Sequence, residues 1–119
     1  MASPMTVELF GIHSCDSCRK ARRWLEEHDV AHSWSDLRDT PPRAEMVAGW
    51  VRALGSKVLR NTSGGSYRAL GEEKKGWDDE RWAAEFTRDP MLLKRPVLVV
   101  DGVAVSAGFK ADVYESSLR

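Results

Sequence analysis

The sequence predicts an α/β fold in which a strand–helix–strand unit is separated from a β-hairpin by a block of helices. Three observations lead there. Residues 5–10 alternate like a half-buried strand, and residues 16–28 then space apolar side chains three and four apart. Val97-Leu98-Val99-Val100 is a continuous aliphatic run that meets Asp101-Gly102, a two-residue hairpin signal. Between these halves, residues 37–94 carry helical stripes and turn residues.

Taken in order, Met5 to Phe10 is the first strand and Gly11 to Ser14 a short turn. The helix from Asp16 to His28 gathers Cys18, Ala21, Trp24, Leu25 and His28 on one face. Asp29 ends it, and Val30 to Ser35 is a second strand carrying Trp34. Pro41-Pro42 opens a helix, because proline suits the first helical position. Its apolar stripe is Met46, Val47, Trp50, Val51 and Leu54, with Gly55 as the stop. Arg60 to Ser66 reads as a loop and Tyr67 to Leu70 as a helical turn. Asp78 or Asp79 caps a helix bearing Trp82, Ala83 and Phe86, which stops before Pro90; Met91 to Leu93 makes a further short turn. After the Val97–Val100 strand and its hairpin, Val103 to Val105 returns, Gly108 breaks the run, and Asp112 to Leu118 closes as a helix. The expected organisation is a single domain, residues 5–119, with a helical insertion over about 37–94 that is too thin in apolar residues for a core of its own. Met1 to Pro4 reads as a frayed leader.

Composition narrows the function. Lysine plus arginine equals aspartate plus glutamate, 18 against 18, so the chain lacks the overall basic excess of a nucleic-acid binder. The same balance argues against a polybasic membrane anchor. No apolar stretch approaches the roughly 18 residues of a membrane span, and the first residues do not resemble a secretory signal. A cytoplasmic monomer with no DNA binding and no membrane association is the expectation.

Only two cysteines occur, Cys15 and Cys18, and their spacing suits redox chemistry rather than a structural disulfide. Cys15 falls where a strand hands over to a helix, whose unpaired N–H groups and positive partial charge favour a thiolate. Cys18, one turn on, is placed to resolve a mixed disulfide formed on Cys15. Arg19, Lys20, Arg22 and Arg23 crowd the start of the helix while Glu26 and Glu27 come near its end. That order opposes the helix dipole. It would instead lower the pKa of Cys15, with His13 adding to the effect if protonated and Asp16 opposing it or serving as a cap. Two alternatives stand beside this reading. The pair could be half of a zinc site, for which only His13, His28 and His32 are available as histidine ligands. It could also be two unreactive core cysteines. No metal is expected.

The stretch Phe10-Gly11-Ile12-His13-Ser14-Cys15-Asp16-Ser17-Cys18-Arg19-Lys20-Ala21-Arg22-Arg23-Trp24-Leu25-Glu26 resembles the opening of the arsenate reductase-like family, which includes the Spx and YffB branches. Leu59-Arg60-Asn61-Thr62, Leu93-Lys94-Arg95-Pro96-Val97-Leu98-Val99 and Gly108-Phe109 resemble three further family motifs in the same order. The central and C-terminal segments are most like the YffB branch, and the cysteine pair is more like Spx.

The resemblance implies a thioredoxin-like fold with the helical insertion between the second strand and the strand that follows a cis proline. It implies that Pro96 is that proline and faces Cys15, leaving the Arg95 backbone open to a bound thiol or peptide. It also implies that Arg60 and Arg95 surround the nucleophile and bind an anion, a task suited to guanidinium groups. The third family arginine has no counterpart in Ser106-Ala107-Gly108-Phe109. The implied activity is a thiol–disulfide oxidoreductase linked to glutathione, with no resident cofactor and glutathione or another small thiol as co-substrate. The variants are a bacterial glutathione- and glutaredoxin-dependent arsenate reductase and an Spx-like redox regulator of RNA polymerase. The Spx branch carries a longer C-terminal tail, and its glycine in the polymerase-contacting region has only Gly49 and Gly55 nearby here.

Overall fold

The computed structural model describes residues 5–118, so the leader expected at Met1–Pro4 and the domain's last residue, Arg119, lie outside the described residues. Strand β1 (Val7–Gly11) runs into helix α1 (Asp16–Glu27), and β2 (Ser33–Asp36) returns parallel to β1. Then come α2 (Ala44–Leu54), α3 (Ser56–Leu59), α4 (Gly65–Arg68), a 3₁₀ turn at Glu72–Gly76, α5 (Asp79–Arg88) and a 3₁₀ turn at Pro90–Leu92. The chain closes with β3 (Val97–Val100), β4 (Val103–Ala107) and α6 (Ala111–Ser117). One sheet results, in the order β2-β1-β3-β4, with β3 antiparallel to both of its neighbours.

Alternation along the strands sorts the core onto two faces. Val7 and Leu9 of β1 and Leu98 of β3 pack with Ala21 and Leu25 of α1 and Tyr114 of α6. Phe10, Val97 and Val99 turn the other way, onto Val47, Trp50 and Val51 of α2 and Trp82 and Phe86 of α5. Residues between β2 and β3 therefore share one apolar cluster with a face of the sheet. The hairpin takes Asp101 and Gly102 at φ 51° and 83°, the left-handed pair that a tight two-residue turn demands.

Several local expectations are corrected. β1 extends through Gly11, which pairs with Asp36, so the turn after it is shorter than Gly11–Ser14. β2 starts only at Ser33. His28 is exposed rather than on the buried face; it caps the end of α1 and stacks on Trp24 with ring centroids 3.8 Å apart. Pro41-Pro42 precede α2, which begins at Ala44 after Arg43. Met46 points to solvent at 39% exposure while Val47, Trp50 and Val51 are buried. After Gly55, whose φ of 82° ends α2, the chain turns at once into α3, an element with too few residues to show periodicity. The helical turn placed at Tyr67–Leu70 begins earlier, at Gly65. Of the two candidate caps for α5 it is Asp78, whose carboxylate accepts from Arg81 N–H at 2.9 Å.

Asp36 anchors the end of β2. Its buried carboxylate accepts the His13 N–H at 2.9 Å and the Arg38 N–H at 2.8 Å. Burial pushes its pKa up, but the N–H groups of Arg38, His13 and Asp39 outweigh burial, so the net shift is downward from 3.8. A carboxyl with a depressed folded pKa stabilises the fold above its unfolded pKa and loses that contribution as pH falls through the folded value. Asp36→Asn should cost about 1.5–3 kcal/mol in urea unfolding at neutral pH, the usual worth of hydrogen bonds to a charged group. The gap from the parent protein should shrink below about pH 3.8. A gap that does not change between neutral pH and about pH 3, roughly a unit below an ordinary aspartate, would contradict this role.

Candidate redox site

Cys15 stands at the junction that β1 and α1 create. It is the residue before the first helical turn (φ −92°, ψ 124°), and its side chain does not cap the helix. Asp16, expected as a cap, is instead the first helical residue, and its carboxylate pairs with Arg19. Cys15 N–H donates to Ile12 O at 3.3 Å, which closes the short turn from the strand. Both thiols are free; Cys15 is half-buried and Cys18 fully buried.

The seat of Cys18 depends on a missing side chain. A Cβ on Gly11 would run into Cys18 Sγ and approach Trp34 Cη2 at 3.0 Å. The bare backbone of β1 lets the first turn of α1 lie close enough for the sulfur to fit. Burial pushes the Cys18 thiol up to about 12. The Ile12 N–H beside it lowers the value, the neighbouring Cys15 side chain and charge raise it, and the Arg95 charge lowers it. The Tyr114 hydroxyl is buried without a partner among the described residues, and it too is pushed up by burial and by Cys18.

Cys15 opens onto a cavity of about 310 Å³. One wall is Lys94 and Arg95, another is Gly108, Phe109 and Lys110, and Ser17 and Asn61 complete the rim. Three cations and no carboxylate line it. Arg95 precedes Pro96 through a cis peptide bond. Its Nη1 donates to Met91 O and Leu93 O at 3.1 and 3.0 Å. Among the described residues, no backbone-to-backbone hydrogen bond uses the Arg95 N–H or C=O. The segments carrying Arg60 and Arg95 are tied together: Asn61 N–H donates to Leu92 O at 2.8 Å and Lys94 N–H to Leu59 O at 2.7 Å. Gly108 N–H donates to Pro96 O at 2.9 Å, bringing the end of β4 beside the proline.

Not every predicted residue reaches Cys15. Arg95 shares its cavity, whereas Arg60 lines the adjoining one. The Arg60 guanidinium lies 4.4 Å over the Trp82 ring and donates to Ser56 Oγ at 2.9 Å. Pro96 is buried behind Arg95. His13 is not part of the cavity lining; it is exposed, with Nε2 3.5 Å from Asp36 Oδ2. The α1 cations are likewise absent from that lining: Arg19 is engaged by Asp16 and Arg22 lies 4.5 Å over Trp34. Among the described residues, neither cysteine belongs to a cluster of three or more potential metal ligands; the group that does form is His13, Asp36 and Asp39. Lys94 lies within the Leu93–Val99 segment and Lys110 follows Gly108-Phe109, but a lone lysine carries no signal until the fold aims it. Gly11 and Tyr114 depend on packing that no local pattern reveals.

The sheet, the inserted helices and the dithiol at the start of α1 define a thioredoxin-like protein with a Cys-X-X-Cys site. Residues 10–117 match the ArsC family, and the chain belongs to it. The uncharacterized protein YusI of Bacillus subtilis is 34% identical over 118 residues, covering 95% of this chain and 98% of the relative. The solved structure of a YffB protein superposes with a TM-score of 0.86 at 33% identity, covering 95% of this chain and 99% of its own. The structure described as a possible arsenate reductase from Streptococcus mutans gives 0.79 at 31%, covering 87% and 91%. The global transcriptional regulator Spx of Listeria innocua is 27% identical, covering 89% of this chain and 82% of the regulator.

The contrast between the thiols is directly measurable. Iodoacetamide at neutral pH should label Cys15 in the folded protein and leave Cys18 unlabelled until denaturant is added, as read by peptide mass spectrometry. Equal labelling of both would show that Cys18 is neither buried nor held protonated.

Proposed function

We propose that the protein is a bacterial, cytoplasmic thiol–disulfide oxidoreductase that takes its electrons from glutathione or a similar small thiol, without a resident cofactor. The observation carrying this reading is the half-exposed Cys15 in a cavity that holds Lys94, Arg95 and Lys110, with Cys18 buried one turn behind.

In the first step the Cys15 thiolate attacks one sulfur of a substrate disulfide. A Cys15–substrate disulfide forms, the substrate's S–S bond breaks, and the departing thiolate takes a proton from water. Burial is the main influence that holds the proton on Cys18, and two lesser ones come from Cys15 itself, its side chain and its charge. Both are lost once Cys15 carries a substrate sulfur, while the Arg95 charge continues to favour a Cys18 thiolate. Cys18 then releases its proton and attacks the Cys15 sulfur. The second substrate thiolate leaves, and a Cys15–Cys18 disulfide remains. Two thiols of glutathione, itself oxidised to the disulfide, restore the pair. The Arg95 backbone, which enters no backbone-to-backbone hydrogen bond among the described residues, gives an extended substrate a place to hydrogen-bond, and Arg95 and the two lysines attract a carboxylate.

Arsenate reduction, with glutaredoxin as a further partner, is a variant in which Cys15 attacks arsenic. It is less favoured because Ser106-Ala107-Gly108-Phe109 offers no arginine beside the cavity. An Spx-like role is favoured only by the likeness to Spx proteins, and retention on RNA polymerase α-subunit would support it.

The test is reduction of hydroxyethyl disulfide coupled to glutathione and glutathione reductase. Cys15→Ser should abolish turnover. Cys18→Ser should accumulate a mixed disulfide on Cys15 when no glutathione is added. Turnover by Cys15→Ser equal to that of the parent would overturn the proposal.

A further inference from the structure

We infer that a second cavity beside the Cys15 cavity binds the part of the substrate beyond its sulfur, and that this part is an anionic, aliphatic peptide arm. The inference rests on the reductase reading and adds to it the class of substrate.

The second cavity measures about 560 Å³ and continues the first, with Lys94, Ala107, Gly108 and Lys110 forming walls of both. That volume lies in the range of pockets that bury a molecule of some tens of atoms, about 300–1,000 Å³. A small thiol at Cys15 would leave it empty. Lys57, Arg60, Lys94 and Lys110 line it, and no carboxylate does. The whole chain has no net charge, so four cations here are a local concentration and not a reflection of composition. None of the ion pairs found among the described residues involves Lys57, Lys94 or Lys110. Arg60 is held in place by Trp82 and Ser56, and its Nε is buried without a partner among the described residues. Ser106 Oγ, in the same wall, is also buried with no partner among the described residues.

The rest of the surface is aliphatic. Val58 is 47% exposed, and Val105 and Val113 line the same cavity. Cations around an aliphatic floor complement a peptide carrying acidic and branched apolar side chains. Gly108 connects the two cavities. At φ 87° it has no Cβ, and a Cβ there would meet Lys94 Cε at 3.0 Å. The Lys94 arm therefore lies across the glycine, at the boundary between the sulfur's cavity and the arm's.

An acidic arm could belong to a free peptide thiol or to a segment of a larger protein, and the test separates them. Reduced protein is mixed with short cysteine peptides held as disulfides with a neutral thiol, flanked by Asp and Leu, Asn and Leu, or Lys and Leu. Hydroxyethyl disulfide serves as the small neutral reference. The acidic peptide should react about tenfold faster than the basic one, within the range of electrostatic acceleration, with the gap closing at high salt. Lys57→Glu should remove most of that preference and leave the hydroxyethyl disulfide rate unchanged. Arg52→Glu, the same charge change on α2 outside both cavities, should leave the preference intact. Val58→Ser should slow the Asp–Leu peptide and spare one in which Leu is replaced by Ser. A longer acidic peptide that reacts faster still points to a protein segment; an unchanged rate points to a free peptide thiol. Equal rates for the three charges, or an equal loss from Lys57→Glu and Arg52→Glu, would overturn the inference while the reductase reading stands. Failure to reduce even hydroxyethyl disulfide would overturn the reading and the inference with it.

Discussion

The contact between Cys18 and the bare backbone of Gly11 sets where the two sulfurs of the site lie. It lets the first turn of α1 settle on the end of β1. Close seating of the helix puts Cys18 fully inside, beside the Ile12 N–H, and leaves Cys15 at the helix mouth. A methyl group at residue 11 would push the helix away and separate the pair from the sheet. The two thiols thus differ because of where one glycine lets them sit, although they are one helical turn apart and chemically the same.

The cations that serve this site come from other parts of the chain. Arg95 and Lys94 arrive from the segment before β3, Lys110 from the end of β4, and Arg60 from the end of α3. The paired strand-like bonds between residues 59–61 and 92–94 tie the middle of the helical insertion to its end, just before Arg95 and Pro96 lead into β3. The insertion accordingly does more than cover a face of the sheet. It presents Asn61 and Arg60 to a groove whose other side is the β4–α6 connection. By contrast, of the arginines on α1 that crowd Cys15 in the linear sequence, Arg19 is drawn off to Asp16 and Arg22 to the Trp34 ring.

How much of this was legible in the chain depends on the range of the signal. Local signals were read well. The alternation at residues 5–10 corresponds to β1 from Val7 onward, the Val97–Val100 run and the Asp101-Gly102 hairpin to observed elements, and of Asp78 and Asp79 the cap is Asp78. The Cys15–Cys18 pair was evident from spacing alone. Elements of four residues, such as α3 and α4, were missed or shifted because so short a segment has no period to detect. Met46 and His28 fit the spacing of their helical stripes, yet both side chains are exposed. The cationic groove was the least visible feature, since its charges lie on three separate segments that only tertiary packing brings together. Which arginine reaches Cys15 and which stops at Trp82 is likewise decided by packing against an indole that the motif does not contain.

The central claim is that Cys15 and Cys18 work as one two-electron pair, poised between an open and a buried sulfur. Equilibrating the protein in glutathione redox buffers, quenching with acid and counting free thiols by mass spectrometry tests it most directly. An intramolecular Cys15–Cys18 disulfide should form and disappear reversibly with a two-electron slope, about 30 mV per tenfold change in the ratio of oxidised to reduced protein. Oxidation that stops at glutathionylated Cys15 with Cys18 still free, or that yields only disulfide-linked dimers, would contradict it.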